Sequence, residues 1–188
     1  MMIPSRKIMK LDEAIKGRRS IRRYRHMDIP DSVIEELLDL ALHAPSSMNG
    51  QPWHFIVIRK QETKTKLAEI KNRYCPVEKQ TYQADFLRDA PVVIIVCVDK
   101  KKSYDRGVEN AVLATANILL GAFSRGIGTV YMSAYKPDDS RISEEIREIL
   151  HIPLNIAPIT LIPLGYPDET PETKTLKSIK KAISYESY

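Results

Sequence analysis

The order of apolar and polar positions predicts a chain in which helices alternate with buried strands. Apolar residues recur at helical spacing over 33–41, after Pro30, and acidic residues lie opposite them. The unbroken β-branched run at 91–98 predicts a central strand that is buried on both faces of a sheet. The longest helical pattern, 104–125, is nearly uncharged from 111 to 123, so we expect its helix to be buried almost all round.

The remaining regular segments complete the predicted layout. The patterns indicate helices over 11–16, 62–71 and 138–150, and strands over 53–59, 129–132 and 156–164. Gly126 and Gly128 stand between the long helix and a strand. Because a dinucleotide fingerprint opens a helix and carries a third glycine, we interpret this pair as the end of the helix.

Two segments fit neither period. Residues 72–89 are rich in charge and tyrosine, and we predict that they are part helix and part lid. In that segment Tyr74, Tyr82 and Phe86 either close over a flat ligand or pack at a surface. The tail over 168–188 has few apolar positions of its own, and packing against a second subunit would satisfy it.

Composition limits the classes of protein that fit. The chain has 188 residues, 43% of them hydrophobic, without repeats or linkers, so a single domain over 1–188 is expected. The net charge is +5, with basic and acidic residues interleaved, which is weak evidence for nucleic-acid binding. Cys75 and Cys97 differ in their surroundings, and no histidine or cysteine has metal-ligand spacing, so neither a disulfide nor a metal site is expected. Without a secretory pattern or the ~20 apolar residues of a membrane span, a cytoplasmic protein is expected.

A cationic segment, residues 18–22, is the first candidate site. Three guanidinium groups and one hydroxyl lie within five residues: Arg18, Arg19, Ser20 and Arg22. Guanidinium forks match the oxygens of a phosphate two at a time, so this segment could hold a phosphomonoester. A solvated basic patch is the alternative, because exposed basic runs are common.

A polar loop, residues 45–51, is the second candidate site. It offers two hydroxyls and two amides, which are groups suited to the edge of a heteroaromatic ring. Ser46 and Ser47 are interpreted as turn residues or hydrogen-bond donors, because no nucleophile elbow surrounds them. The alternative is an ordinary connection between a helix and a strand.

Taken in order, these motifs resemble those of the nitroreductase family of FMN enzymes. The resemblance rests on AIKGRRSIRRY at 14–24, APSSMNGQPW at 44–53, ANILL at 116–120 followed by GIGT at 126–129, and PLGYP at 163–167. It implies an α+β fold with a mainly antiparallel sheet wrapped by helices, in an intertwined homodimer that binds FMN at the subunit interface. It also implies that residues 171–188 extend onto the partner.

The resemblance also assigns site residues. In the family pattern, one group contacts the phosphate, the ribityl chain and the ring: Arg18, Arg19, Ser20 and Arg22, with Arg19 toward the ring. A second group comes from the other subunit: Pro45, Ser46, Ser47 and Asn49. Met132 and Ser133 would lie near the flavin N5, and Gly165 and Lys174 would return to the phosphate. The chain departs from the pattern at Leu176, where many members have a second basic residue, and at Ser133-Ala134, where many have Glu-Gly or Gly-Gly.

The implied activity is transfer of a hydride from NADH or NADPH to FMN and then to an electron-poor acceptor. Nitroaromatics and quinones are the expected small-molecule acceptors, in a ping-pong scheme that needs no protein nucleophile. Three alternatives stay open. They are a specialised relative (a dehalogenase, a flavin-destroying enzyme or an azoline oxidase), a flavin-binding redox protein without turnover, and a nucleic-acid-binding module. The pattern selects neither NADH nor NADPH, and it does not give the physiological acceptor.

Overall fold

The computed structural model describes residues 9–75 and 83–188, and within these ranges a five-stranded sheet forms the centre of the fold. Its strands are β1 (Trp53–Ile58), β2 (Val92–Asp99), β3 (Gly128–Thr129), β4 (Met132–Ser133) and β5 (Ile156–Gly165). The strand order is β1-β2-β5-β3, and β4 also pairs with β5. Every pairing between these strands is antiparallel, which confirms the predicted α+β class.

Helices cover both faces of this sheet. They are α1 (Leu11–Gly17), α2 (Asp31–Leu42), α3 (Gln61–Arg73), α4 (Phe86–Asp89), α5 (Gly107–Ser124) and α6 (Arg141–Ile149). Short 3₁₀ turns occur at Ser47–Asn49 and Ile179–Lys181. No helix within the described ranges is long and apolar enough to cross a bilayer.

Strand β2 confirms the prediction of a strand that is buried on both faces. Val93, Ile95 and Cys97 belong to one hydrophobic cluster, and the residues between them belong to the cluster on the other face. This alternation follows from the period of two in a strand, with helices packed on each side. Burial raises the pKa of the Cys97 thiol to about 12, so this thiol stays protonated at neutral pH.

The long helix confirms one prediction and corrects another. Gly126 has φ +73°, and the N–H of Ile127 donates to the carbonyl of Ala122 at 2.9 Å, so the glycine pair does end the helix in a left-handed cap. The expectation that α5 is buried almost all round was wrong. Val112 and Leu113 are 37% and 43% exposed, so part of this apolar helix reaches the surface of the chain.

Two other segments differ from the sequence pattern. The single strand predicted over 129–132 is two short strands, β3 and β4, which pair with different parts of β5. The predicted lid over 72–89 contains the end of α3 and all of α4, while residues 76–82, including Tyr82, lie outside the described ranges. The tail over 170–188 is exposed throughout in the single chain, and its packing against a second subunit stays a prediction.

Candidate functional site

The cationic segment leaves α1 and runs beside β3. The N–H of Arg18 donates to Ala14 at 3.0 Å and closes the last turn of α1. Ser20 forms a parallel bridge with Thr129, and the N–H of Ile21 donates to the Thr129 carbonyl at 3.0 Å. The backbone of this segment is therefore fixed by the edge of the sheet.

A second row of backbone bonds joins residues 23–25 to the chain that follows β5. Asp168 donates its N–H to the Arg23 carbonyl at 2.9 Å, and Arg25 donates its N–H to the Tyr166 carbonyl at 2.9 Å. The carboxylate of Glu169 accepts the N–H groups of both Arg22 and Arg23. We call residues 22–25 and 166–169 together the clamp, because they hold the cationic segment to the start of the tail.

Gly165 belongs to the packing of this clamp. A Cβ at Gly165 would lie 2.6 Å from Cδ1 of Tyr24 and 2.8 Å from Cδ of Pro91, which is closer than real side-chain contacts. The Tyr24 hydroxyl in turn donates to the Ile21 carbonyl at 2.6 Å. A larger residue at 165 would therefore displace the ring that supports the cationic segment.

Arg18 and Arg19 line a cavity of about 210 Å³ with largely apolar walls, to which Phe123 and Ile127 contribute. Thr129 also lines this cavity; it is 1% exposed, and its hydroxyl has no hydrogen-bond partner within the described part of the chain. Burying an unpaired hydroxyl is unfavourable by about 1–3 kcal/mol. An apolar cavity lined by the cationic residue Arg18 and by a residue with an unpaired hydroxyl suits a ligand with an anionic end.

The predicted cationic residues do not all meet in this cavity. The Arg19 guanidinium donates to the carbonyls of Lys16, Gly17 and Arg18 at 2.7, 3.2 and 2.9 Å, so it caps the C-terminus of α1. The Arg22 guanidinium lies 6.0 Å from the ring centroid of Phe86 in α4, outside the lining of the cavity. The structure brings Arg18 and Arg19 together and directs Arg22 to another neighbour.

The aromatic residues proposed to close over a ligand are engaged elsewhere. Phe86 is buried in the hydrophobic core. The Tyr74 hydroxyl donates to Glu145 at 2.5 Å, and this bond raises the pKa of Tyr74. The Arg141 guanidinium lies 5.3 Å from the Tyr74 ring centroid. Both Phe86 and Tyr74 therefore pack against other parts of the same chain, which is the alternative interpretation of these aromatic residues.

Met132 and Ser133 form β4, opposite Leu161 and Thr160 of β5. The Ser133 carbonyl accepts a hydrogen bond of 2.7 Å from the ammonium of Lys71 at the end of α3. Desolvation in this half-buried position lowers the pKa of Lys71. The sequence did not identify Lys71, since it lies on a polar helix far from β4 along the chain.

The polar loop has an unusual backbone. Met48, Asn49 and Gln51 have φ values of 51°, 54° and 44°, in the left-handed region that residues other than glycine seldom adopt. Inside the loop, the N–H of Gln51 donates to the Ser46 hydroxyl at 3.1 Å, and the Gln51 amide donates to Asn49 at 3.1 Å. The predicted polar groups therefore bond one another as well as facing outward.

The polar loop and the cationic segment line separate cavities. Pro45, Ser46 and Ser47 line a cavity of about 320 Å³ together with Asn110 and other residues of α5, and none of its lining residues belongs to the cavity at Arg18. Lys174 is exposed in the tail. Within one chain, the two predicted halves of the site thus form different surfaces.

Three residues near these cavities were absent from the predicted set: Thr129, Glu169 and Asn110. Thr129 belonged to a quoted motif but had no assigned role, and Glu169 gave no local signal, because their contacts join positions more than a hundred residues apart. Asn110 did give one, since a polar residue inside an apolar helix needs a hydrogen-bond partner. No group of three or more His, Cys, Asp or Glu that could hold a metal occurs within residues 9–75 and 83–188.

Comparisons with known proteins agree with the motifs. The family model described as "Nitroreductase family" matches residues 15–166. A protein of Methanothermobacter thermautotrophicus, named as a candidate NADH dehydrogenase/NAD(P)H nitroreductase, is 41% identical over 174 residues, covering 90% of this chain and 85% of that protein. The iodotyrosine deiodinase of Thermotoga neapolitana is 27% identical over 174 residues, covering 85% and 89%.

The fold comparison gives the same family. The structure of an FMN-dependent nitroreductase from Clostridium difficile R20291 superposes with a TM-score of 0.79 at 28% identity, covering 94% of this chain and 99% of that one. The family match, residues 15–166, spans both motif regions and ends just after β5. The chain belongs to the nitroreductase family.

Proposed function

We propose that this protein is an FMN-dependent oxidoreductase that uses NADH or NADPH to reduce electron-poor small molecules. The observation that carries the proposal is the buried, unpaired hydroxyl of Thr129 beside Arg18 and Arg19 in an apolar cavity. Family membership and the flavin-dependent activities named for relatives support the same chemistry. Bound FMN would supply the capacity to take up a hydride from the nicotinamide donor and pass it to an acceptor.

The residues present fit FMN. Arg18 offers a permanent positive charge and Thr129 an unpaired hydroxyl, which together suit a phosphate. Ser20 lies next to Thr129 through the bridge to β3 and could add a second hydroxyl. The cavity of about 210 Å³ has room for only part of a molecule as large as FMN. Other residues, outside this cavity, must therefore contact the rest of the cofactor.

The chain's own residues would bind and orient the cofactor. The clamp fixes the backbone of the cationic segment, so Arg18 is held in place before the ligand arrives. Lys71 fixes the carbonyl of Ser133 through its hydrogen bond. Fixed positive charge near the ring would favour the electron-rich reduced cofactor, since preorganised charges stabilise a negative charge most in an apolar site.

A homodimer is part of this proposal. Leu113 on α5 is 43% exposed and lines the cavity of the polar loop, so this cavity adjoins an uncovered apolar face. A second chain packed on that face would place its own cationic segment against the loop, and the tail over 171–188 would reach across the partner. This arrangement explains why the two halves do not meet within one chain. A cytoplasmic location remains a prediction.

The absorbance spectrum of the purified protein tests the function. Protein loaded with FMN should show the visible absorbance bands of oxidised flavin. Addition of NADH or NADPH under anaerobic conditions should bleach these bands. An acceptor such as a quinone should then restore the bands over many turnovers. A protein that gains no flavin on addition of FMN would overturn the proposal, and oxidation of only one equivalent of donor would favour the non-turnover flavin protein.

Dehalogenation is a second candidate, favoured by the similarity to the iodotyrosine deiodinase of Thermotoga neapolitana. The reduced, FMN-loaded protein would be mixed with 3-iodotyrosine, and released iodide would be measured. Iodide release that accompanies reoxidation of the flavin would support a dehalogenase. Reoxidation by quinones with no iodide release would leave the quinone or nitroaromatic reductase as the function.

A further inference from the structure

The polar loop holds a backbone that it would not adopt without support. Three of its residues other than glycine, Met48, Asn49 and Gln51, have positive φ. Such conformations persist only where the surroundings over-determine them. Inside the loop, Gln51 donates to Ser46 and Asn49, and the N–H groups of Asn49 and Gly50 donate to the carbonyls of Ser46 and Ser47 at 3.1 and 2.9 Å. These bonds are local to the loop, so contacts from outside it are needed to fix it against the rest of the fold.

The turn that faces the loop is strained in the same way. Tyr104 and Asp105, just before α5, have φ values of 50° and 58°. The two turns touch at Gly50, where an added Cβ would lie 2.1 Å from the Lys102 carbonyl oxygen. Glycine at this position lets the two backbones approach, and each turn then depends on the other for its shape.

Asn110, in the first turn of α5, connects both turns to the sheet. Its side-chain oxygen accepts the N–H of Ser47 at 3.1 Å, and its side-chain nitrogen donates to the Ser103 carbonyl at 3.2 Å. Its main-chain carbonyl accepts the indole N–H of Trp53, where β1 begins, at 2.9 Å. Asn110 is 2% exposed, so water competes little for these groups.

We propose that Asn110 is a positioning residue that holds residues 45–51 in the shape that binds FMN, an inference that rests on the proposed function. Asn110 acts through Ser47 and does not itself touch the cofactor. The hydroxyls and amides of the loop then meet the ligand already oriented. Without Asn110, part of the binding free energy would go into ordering the loop.

The first test replaces Asn110 by leucine, which has a similar volume and neither hydrogen-bonding group. Fluorescence titration of the homodimer with FMN should give a Kd raised on the order of 10-fold, the factor expected for losing a buried hydrogen bond. Hydrogen exchange of the Ser47 amide in the flavin-free protein should become faster, because its acceptor is gone. The exchange measurement does not depend on activity or on bound cofactor.

Asn117 provides the matched control. It lies on α5 seven residues after Asn110, two turns along the helix, and its side chain donates to the Leu40 carbonyl at 2.9 Å. Asn117→Leu makes the same chemical change away from the loop. It should lower the stability of the fold while leaving the Kd for FMN within about twofold of the wild type and Ser47 exchange unchanged.

Asn110→Asp distinguishes the hydrogen bond to Ser47 from the hydrogen bond to Ser103. It is also the variant to use if Asn110→Leu does not fold. The carboxylate keeps the acceptor for Ser47 and removes the donor to Ser103, so Ser47 should stay protected while the Kd rises less than in Asn110→Leu. Equal Kd and equal Ser47 exchange in Asn110→Leu and Asn117→Leu would overturn the inference. A wild-type protein that binds no FMN would instead overturn the proposed function, and Ser47 exchange would still decide whether Asn110 holds the loop.

Discussion

The cationic segment and the polar loop are held in the fold by different kinds of bond. Main-chain bonds hold most of the cationic segment, through the bridge from Ser20 to Thr129 and the two main-chain bonds of the clamp, and one side chain, the Glu169 carboxylate, adds to them. A side chain, Asn110, fixes the polar loop from outside. Backbone bonds survive changes of side chain, whereas a side-chain anchor is lost with one substitution. The cationic half should therefore keep its shape when its arginines are replaced, and the loop should lose its shape with Asn110.

The two halves also differ in what surrounds their ligand groups. The cavity at Arg18 has walls from β3 and the end of α5 of the same chain. The loop instead lies beside the exposed Leu113, and Met48 at its tip is 81% exposed. One half is thus enclosed by its own chain, while the other has an open side that a second chain could cover.

Removing residues 171–188 should have the largest effect on dimerisation and FMN binding, and it tests whether the polar loop depends on a second chain. The deletion leaves the clamp intact, so the cationic half should keep its fold. We expect the dimer to weaken and bound FMN to be lost, because the partner's polar loop would no longer lie against the cationic segment. Sedimentation velocity and the visible spectrum measure the two effects. A deletion of 186–188 alone is the control, and an intact, FMN-loaded dimer after the long deletion would contradict the prediction.

Arg18→Ala should weaken FMN binding by about 1.5–3 kcal/mol, the scale of a charge-assisted hydrogen bond. Isothermal titration of the flavin-free protein measures the change. Arg23→Ala is the matched control, because the bonds of Arg23 to Asp168 and Glu169 use its backbone and survive the substitution. Equal affinities for the two variants would remove Arg18 from the phosphate site.

Glu169→Ala tests the clamp. It removes the acceptor shared by the N–H groups of Arg22 and Arg23, and urea denaturation should show a free energy of unfolding lower by about 1 kcal/mol. Water can reach these exposed amides, which keeps the loss small. Glu169→Gln retains an oxygen acceptor and should lie close to the wild type. If alanine and glutamine variants were equally stable, the carboxylate would not hold the segment.

Thr129→Val should have the smallest effect on FMN affinity, but it separates binding from stability, because the two should change in different directions. A methyl group in place of an unpaired hydroxyl should leave the flavin-free protein as stable as the wild type or more so. FMN affinity should fall by about 0.5–1 kcal/mol, since the ligand loses one donor. Thr115→Val is the contrast, because the hydroxyls of Thr115 and Thr160 lie 2.7 Å apart and the change would destabilise the core. Unchanged FMN affinity in Thr129→Val would exclude the hydroxyl from the site.

The regular elements could be predicted from the sequence because their periods are long enough to detect. Strand β2 has a seven-residue buried run from Val92 to Val98, and α5 has an apolar pattern over several turns. Strands β3 and β4 have two residues each, which is too short for a period, so the sequence merged them. Their separation depends on pairing with β5, a property of the whole sheet.

The candidate site could be predicted only as far as local motifs reach. The two motif regions identified the residues that offer charge and amides, and Arg18 and Arg19 do share a cavity. Contacts that depend on register were not accessible, such as that of Glu169 with the backbone of Arg22. The side chain of Arg19 was also not predicted to cap α1, since that requires the geometry of the helix end. Asn110 was accessible in principle, as a buried polar residue in an apolar helix.

Mixed dimers give the most direct test of the central claim, that each FMN site combines the cationic segment of one chain with the polar loop of the other. A chain carrying Arg18→Ala and a chain carrying Ser46→Ala and Asn49→Ala would be co-expressed with different tags and the mixed dimer isolated. One of its two sites would then carry all the changes and the other none. We predict FMN binding at half the wild-type stoichiometry with the wild-type Kd. Weak binding at both sites would contradict the claim, because it would place both halves of each site in the same chain.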